Sequence, residues 1–289
     1  MNEVARTRPQ IGLVVGSGGM KCAAALGLWQ VLRREGIDVD MAVGCSGGSI
    51  YAALMALGFT IEESLDFNVR LWTDAFTRRS FRSLIGAVFP RFFSAATFGL
   101  IDDRRANEAL RTIFRDRTFS DTRFPLAVAA TDLETGQKVL IEEGSIFDAV
   151  RASVAIPFAL RPWNVGGRLL TDGGASDPLP VDVAIREGCE IILAMGFEAP
   201  SVIGVNSLMS LALQTSATTV NHLLRSTYAF HSVVHHAEII PIMPSFDTRI
   251  GLNDVHLMPH VIEEGARAAE REVPYLKRLL ASPHGVTLH

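Results

Sequence analysis

The sequence predicts an α/β fold with a mainly parallel central sheet, and three observations carry that prediction. Ile11–Val15 (IGLVV) and the run opening at Met41 are short, continuously apolar segments, the pattern of strands buried on both faces. Each leads through a glycine-rich turn into a helix pattern. Gly16-Ser17-Gly18-Gly19-Met20-Lys21 precedes a helix from about Cys22 to Arg34, and Gly44-Cys45-Ser46-Gly47-Gly48 precedes a small-residue helix to Leu57. Strand, loop and helix repeated in that order make a right-handed βαβ unit, whose two loops emerge at the carboxyl ends of the strands, where such sheets place their ligands. No repeat, low-complexity tract or flexible linker interrupts the 289 residues, so the chain reads as one domain over 1–289.

Composition narrows the function. Hydrophobic residues make up 48%, ample for a buried core, and the net charge of −4 argues against general nucleic-acid binding. Cys22, Cys45 and Cys189 are scattered, which predicts neither a disulfide framework nor a zinc cage. The amino-terminal MNEVARTRPQ lacks the apolar centre of a signal peptide, and no apolar run is long enough to span a bilayer. The expectation is a cytoplasmic protein.

Taken in order, the first glycine loop gathers backbone N–H groups at a helix N-terminus, an anion cradle. It suits either a nucleotide phosphate or the oxyanion of an acyl-transfer intermediate, and it matches neither a dinucleotide fingerprint nor a P-loop. The second loop sets Ser46 between glycines at a strand-to-helix turn, the pattern of a nucleophile elbow. Gly58 is a helix C-cap, and Thr60-x-x-Glu63 opens the next helix, to about Trp72, with a capping box. The stretch 75–101 is rich in Phe, carries Arg78, Arg79, Arg82 and Arg91, and has no acidic residue. It reads either as a lid meeting an anionic lipid surface or as an ordinary helical insertion.

Asp103–Arg115 follows as a helix, Phe124–Thr131 as a strand, Gly136 as a turn into Gln137–Ile141, and Ser145–Ser153 as a short helix. A loop of small residues, ASVAIP (Ala152–Pro157), precedes a strand, Arg168–Thr171, that delivers Asp172-Gly173-Gly174. An aspartate so placed suggests a functional group, although Asp-Gly is also a common turn dipeptide. Then come a helix Val181–Arg186, a buried strand Glu190–Phe197, a helix Leu208–His235, a strand Glu238–Ile242, and a last helical stretch Pro259–Leu280 that Pro274 is expected to divide.

A serine nucleophile, a glycine cradle and an aspartate suffice for acyl transfer if one group accepts the serine proton. The downstream histidines are His222, His231, His235, His236, His256 and His260, and none follows a strand in the short loop that places a triad histidine. His231 and His235 have the i, i+4 spacing of a metal pair but no accompanying carboxylate motif. That leaves Asp172 as direct base. Desolvation raises its pKa, and the helix dipole and glycine cradle lower that of the serine.

With these residues in view, the chain resembles the bacterial patatin-like phospholipases from about Ile11 to Phe197. The resemblance rests on the loop Ser17-Gly18-Gly19-Met20-Lys21-Cys22, the elbow at Ser46, the ASVAIP stretch, and Asp172-Gly173-Gly174, in that order and at these intervals. Ser17 and Cys22 stand where that family usually has glycines, and Lys21 replaces the commoner arginine. The resemblance implies a three-layer α/β/α fold and lipid acyl-ester hydrolysis of phospholipase A or lysophospholipase type, through an acyl-enzyme on Ser46. Asp172 would be the base, and the N–H groups of Gly18, Gly19 and Met20 the oxyanion hole. Lys21, Gly44, Gly48, Gly173 and Gly174 would support the motifs. It implies no metal and no cofactor, a lipid ester as substrate, and peripheral contact with a membrane; the oligomeric state stays open. The rival readings are a Ser-His-Asp carboxylesterase and a non-catalytic patatin-like or anion-binding scaffold.

Overall fold

The computed structural model describes residues 8–72, 103–157, 159–198, 208–234, 236–248, 250–251 and 254–281. The stretch 75–101, read above as lid or insertion, lies outside the described residues. Among the described residues the sheet has eight strands: β1 (Ile11–Val15), β2 (Met41–Cys45), β3 (Leu126–Asp132), β4 (Lys138–Ile141), β5 (Trp163–Val165), β6 (Arg168–Asp172), β7 (Ile191–Met195) and β8 (Glu238–Ile242). Their order is β5-β6-β3-β2-β1-β7-β8, with β4 also paired to β3. The run β3-β2-β1-β7-β8 is parallel throughout, and β4, β5 and β6 pair antiparallel.

Helices cover both faces, and the strands alternate accordingly. Leu13 and Val15 of β1, Ala42 of β2, and Ile191, Leu193 and Met195 of β7 face the larger core. That core is filled by α1 (Ala24–Arg34), α2 (Gly47–Leu57), α3 (Ile61–Arg70), α4 (Asp103–Phe114), α5 (Ile146–Ser153) and α8 (Met258–Ala281). Val14, Met41, Val43, Ile192 and Ala194 face the other way, against α6 (Val181–Arg186) and Leu224 of α7 (Leu208–Val234). A strand buried on both sides has no polar face, which is why these segments read as unbroken apolar runs.

Sequence signals and structure agree at most boundaries. Gly58 closes α2 in the left-handed region at φ 74°. Thr60 caps α3 through both hydrogen bonds of a capping box, Glu63 N to Thr60 Oγ1 at 3.1 Å and Thr60 N to Glu63 Oε2 at 2.8 Å. The expected helix from Cys22 instead begins as a 3-10 turn, Gly19–Ala23, and becomes α-helical at Ala24. Pro274 does not divide the last helix: α8 runs unbroken through it. Its removed hydrogen bond is outweighed by burial, since Ala268, Ala269 and Leu276 are all held in the core on either side of the proline.

Among the described residues, α1 and α8 pack with their backbones in close approach. A side chain at Gly27 of α1 would overlap Ile262 O of α8, and one at Gly265 of α8 would overlap Ala24 O of α1. Paired glycines bring these two backbones to near contact over the face that carries the first glycine loop.

Candidate active site

Ser46 is the first residue beyond β2, and its backbone is strained. It has φ 53° and ψ −130°, a left-handed conformation that costs a non-glycine residue roughly 1–3 kcal/mol. α2 starts at Gly47, so the hydroxyl sits at the positive end of a helix. The opposing loop lies against it: a side chain at Gly47 would meet Gly19 O at 2.5 Å and Cys22 Sγ at 3.1 Å. The two loops of the βαβ unit therefore face each other, as their shared sheet edge requires.

Asp172 arrives from the opposite direction. β6 runs antiparallel to β3, pairing Ala130 with Asp172, while Ala129 on the same strand pairs with Cys45 of β2. The last residue of β6 thus comes level with the elbow. Ser46 Oγ donates to Asp172 Oδ2 at 2.6 Å, and Gly174 N donates to Asp172 Oδ1 at 2.8 Å. Both side chains are buried. Burial pushes the Asp172 carboxyl up to about 6, against the opposing pull of the two hydrogen bonds that favour its charged form.

The remaining residues singled out in the sequence fall around this pair. Gly18 caps the 3-10 turn that Gly19 opens. The N–H groups of Gly18, Gly19 and Met20 make no hydrogen bond with the described residues, the usual state of donors at the start of a helical turn. The buried Lys21 extends away from the pair, its Nζ donating to Glu198 O beyond β7 and lying 5.9 Å from the Phe246 ring centroid. It ties the loop to the neighbouring strand. Gly44, Gly48 and Gly173 are points of backbone contact, where a Cβ would overlap Ser49 Cα, Val15 O and Ala129 O respectively; at Gly174 it would meet Ser17 Oγ at 2.7 Å.

Cysteine at position 22 makes a bond that glycine cannot: its Sγ donates to Gly16 O at 3.3 Å, closing the loop on its own start. Cys45, the residue before the serine, donates its thiol proton to Asp177 O at 3.3 Å. Burial raises both thiols well above their ordinary value, so each stays protonated and neither competes as a nucleophile.

Among the described residues no histidine bonds Ser46 or Asp172. His260 instead lies 3.3 Å from Asp247 Oδ1, and His235 of the suggested metal pair is outside the described residues. The described residues contain no cluster of three metal-ligating side chains, and none of their helices is long and apolar enough to cross a membrane.

One group escaped the sequence reading. Ser153, within the ASVAIP stretch, accepts the Ser46 N–H at 2.8 Å and donates to Ala129 O at 2.7 Å. The motif was visible, but no local pattern tells a helix-end serine that binds an elbow from one that faces water.

A family model described as patatin-like phospholipase matches residues 13–185. The chain belongs to the patatin-like phospholipase family. Its sequence is 28% identical over 225 residues to an uncharacterized NTE family protein of Mycobacterium tuberculosis, covering 78% of this chain and 58% of that protein. It is also 28% identical over 189 residues to patatin-like phospholipase domain-containing protein 7 of Mus musculus, covering 64% of this chain but 13% of the mouse protein. The chain thus spans less than two thirds of the length of these relatives. Among solved structures, VipD from Legionella pneumophila superposes with a TM-score of 0.51 at 15% identity, over 94% of this chain and 67% of that one, a likeness of fold. The family match ends within α6, so β7, α7, β8 and α8 lie beyond it.

Proposed function

We propose that this patatin-like protein hydrolyses acyl esters of lipids, in the manner of a phospholipase A or lysophospholipase, with Ser46 and Asp172 as a catalytic dyad. The observation that carries the reading is the 2.6 Å hydrogen bond between a strained, helix-capped serine and a buried carboxylate whose pKa is raised to about 6. A carboxylate at its ordinary pKa is a weak base for an alcohol, and burial moves this one towards neutrality, where general base catalysis is most effective.

The steps follow from the positions. Asp172 Oδ2 takes the Ser46 proton as Oγ attacks the ester carbonyl, and the tetrahedral oxyanion is received by the N–H groups of Gly18, Gly19 and Met20. Collapse expels the alcohol, which takes the proton held on Asp172 and leaves an acyl group on Ser46. Water, deprotonated by Asp172, then releases the fatty acid and restores the serine. Only protons and an acyl group move, so neither metal nor cofactor enters the scheme. The substrate proposed is a phospholipid or another lipid ester.

A fluorescent fluorophosphonate is the direct test. The parent protein is expected to label and Ser46→Ala to remain dark with an unchanged melting temperature. Equal labelling of the two would place the nucleophile elsewhere, and silence of the parent with vesicles present would favour a non-catalytic scaffold.

The raised carboxyl also sets a pH dependence. The base works only when ionised, so kcat/KM for a soluble ester is expected to level off above about pH 6. Below that it should fall about tenfold per pH unit. An acid limb near the ordinary aspartate value would mean that the carboxyl is solvated in the working enzyme.

A further inference from the structure

We infer that the segment Ser153–Ala155, at the end of α5 and within the ASVAIP motif, is a positioning brace that holds both dyad residues by their backbones and so sets the distance between them. The inference rests on the dyad reading above. Two residues apart on this segment, one side chain and one carbonyl each take a main-chain N–H. Ser153 Oγ accepts from Ser46 N at 2.8 Å, and Ala155 O accepts from Asp172 N at 3.0 Å. Ala155 O also accepts from Thr171 Oγ1 at 2.8 Å, which doubles the hold on the residue pair that ends β6.

The brace is itself anchored. The Ser153 proton goes to Ala129 O at 2.7 Å, on the β3 residue that pairs with Cys45 of β2 and precedes Ala130, the partner of Asp172. The same carbonyl is the atom that a side chain at Gly173 would overlap. One hydroxyl therefore links the elbow, the central strand and the turn after Asp172. Ser153 and Ala155 are wholly buried, so no water can substitute for either acceptor.

This arrangement answers a need that the elbow creates. At φ 53° Ser46 belongs neither to β2 before it nor to α2 after it, and it relaxes unless its peptide groups are pinned. Its carbonyl is pinned within α2, by Ser49 N at 2.9 Å and Ser49 Oγ at 2.6 Å. Its N–H has the Ser153 hydroxyl. That bond also commits the Ser46 N–H, which is therefore not free to bind an oxyanion.

A brace predicts a defect in chemistry rather than in binding. Ser153→Ala is expected to lower kcat on a soluble ester roughly tenfold to a hundredfold, the scale of a sub-ångström to 1 Å misplacement, with KM little changed. Its acid limb should also move to higher pH. The Ser46 hydrogen bond holds the Asp172 pKa down, and a displaced serine no longer supplies it. The titratable groups beside that carboxyl, the Cys22 and Cys45 thiols, stay protonated through this range and leave the limb to Asp172.

Ser153→Cys is nearly isosteric but a poor acceptor, and is expected to show the same two changes if the alanine variant does not fold. Ser64→Ala removes another buried hydroxyl bond, to Thr60 O at 2.8 Å, away from the dyad. It should cost stability without altering kcat or the pH profile. Parent-like kcat and acid limb in a folded Ser153 variant would overturn the brace and leave the dyad intact. A parent that neither turns over nor labels would instead overturn the dyad reading.

Discussion

Asp172→Asn is expected to abolish turnover and, above about pH 6, to make the protein more stable. The two effects have one origin. In the proposed role of proton acceptor the carboxylate would contribute on the order of 10²–10⁴ in rate, and the amide would contribute nothing. As a buried group it is costly to ionise. Its folded pKa of about 6 lies above the unfolded value near 3.8, so its favourable contribution is complete only below about pH 3.8. That contribution is lost as the pH rises through about 6. At neutral pH the loss is worth up to about 3 kcal/mol, and asparagine avoids it while keeping the shape and an acceptor for Gly174 N. Urea melts at pH 7.5 and pH 4 measure the difference: the variant should lead at the higher pH, and the gap should close at the lower. A variant less stable than the parent at pH 7.5 would mean that the carboxylate is a net structural asset, contrary to the burial argument.

Gly48→Ala is expected to be damaging out of proportion to its size. In an ordinary helix, alanine is preferred to glycine by roughly 0.5–1 kcal/mol. Here the sign reverses. A methyl group at position 48 would overlap Val15 O and sit 2.6 Å from Gly16 O, both main-chain atoms at the end of β1 that cannot rotate away. α2 must then move off the strand, taking Ser46 with it. The expected cost is roughly 2–4 kcal/mol, together with loss of fluorophosphonate labelling. Parent-like melting and labelling would show that the elbow helix does not rest on β1.

Much of this could be read from the chain because its signals are local. A strand, a glycine turn and a helix repeated twice fix a parallel unit and put Ser46 beside Gly18 and Gly19. The capping box at Thr60 and the glycine at position 58 mark helix ends to the residue. What stayed hidden depends on partners distant in sequence. Nothing in RLLTD says that β6 runs antiparallel to β3. The short β5 before it was missed, although Gly166-Gly167 between two apolar-rich segments is a hairpin signal. Pro274 argued for a break that tertiary packing of Ala268, Ala269 and Leu276 overrides. The bond from Ser153 to the Ser46 N–H joins residues far apart in the chain, and only the folded sheet brings them together.

The crossing of α1 with α8 bears on the order in which the molecule is completed. The unit that carries Ser46 is local in sequence, yet the glycine groove of α1 at Gly27 is filled by Ile262 and its neighbours, far along the chain. Contacts of such long sequence separation must overcome loop-closure entropy before they stabilise anything. Until they form, the helix that follows the first glycine loop has one flank uncovered and the loop has no fixed footing. A chain in which α8 has not docked therefore has the Ser46 elbow but no fixed loop facing it.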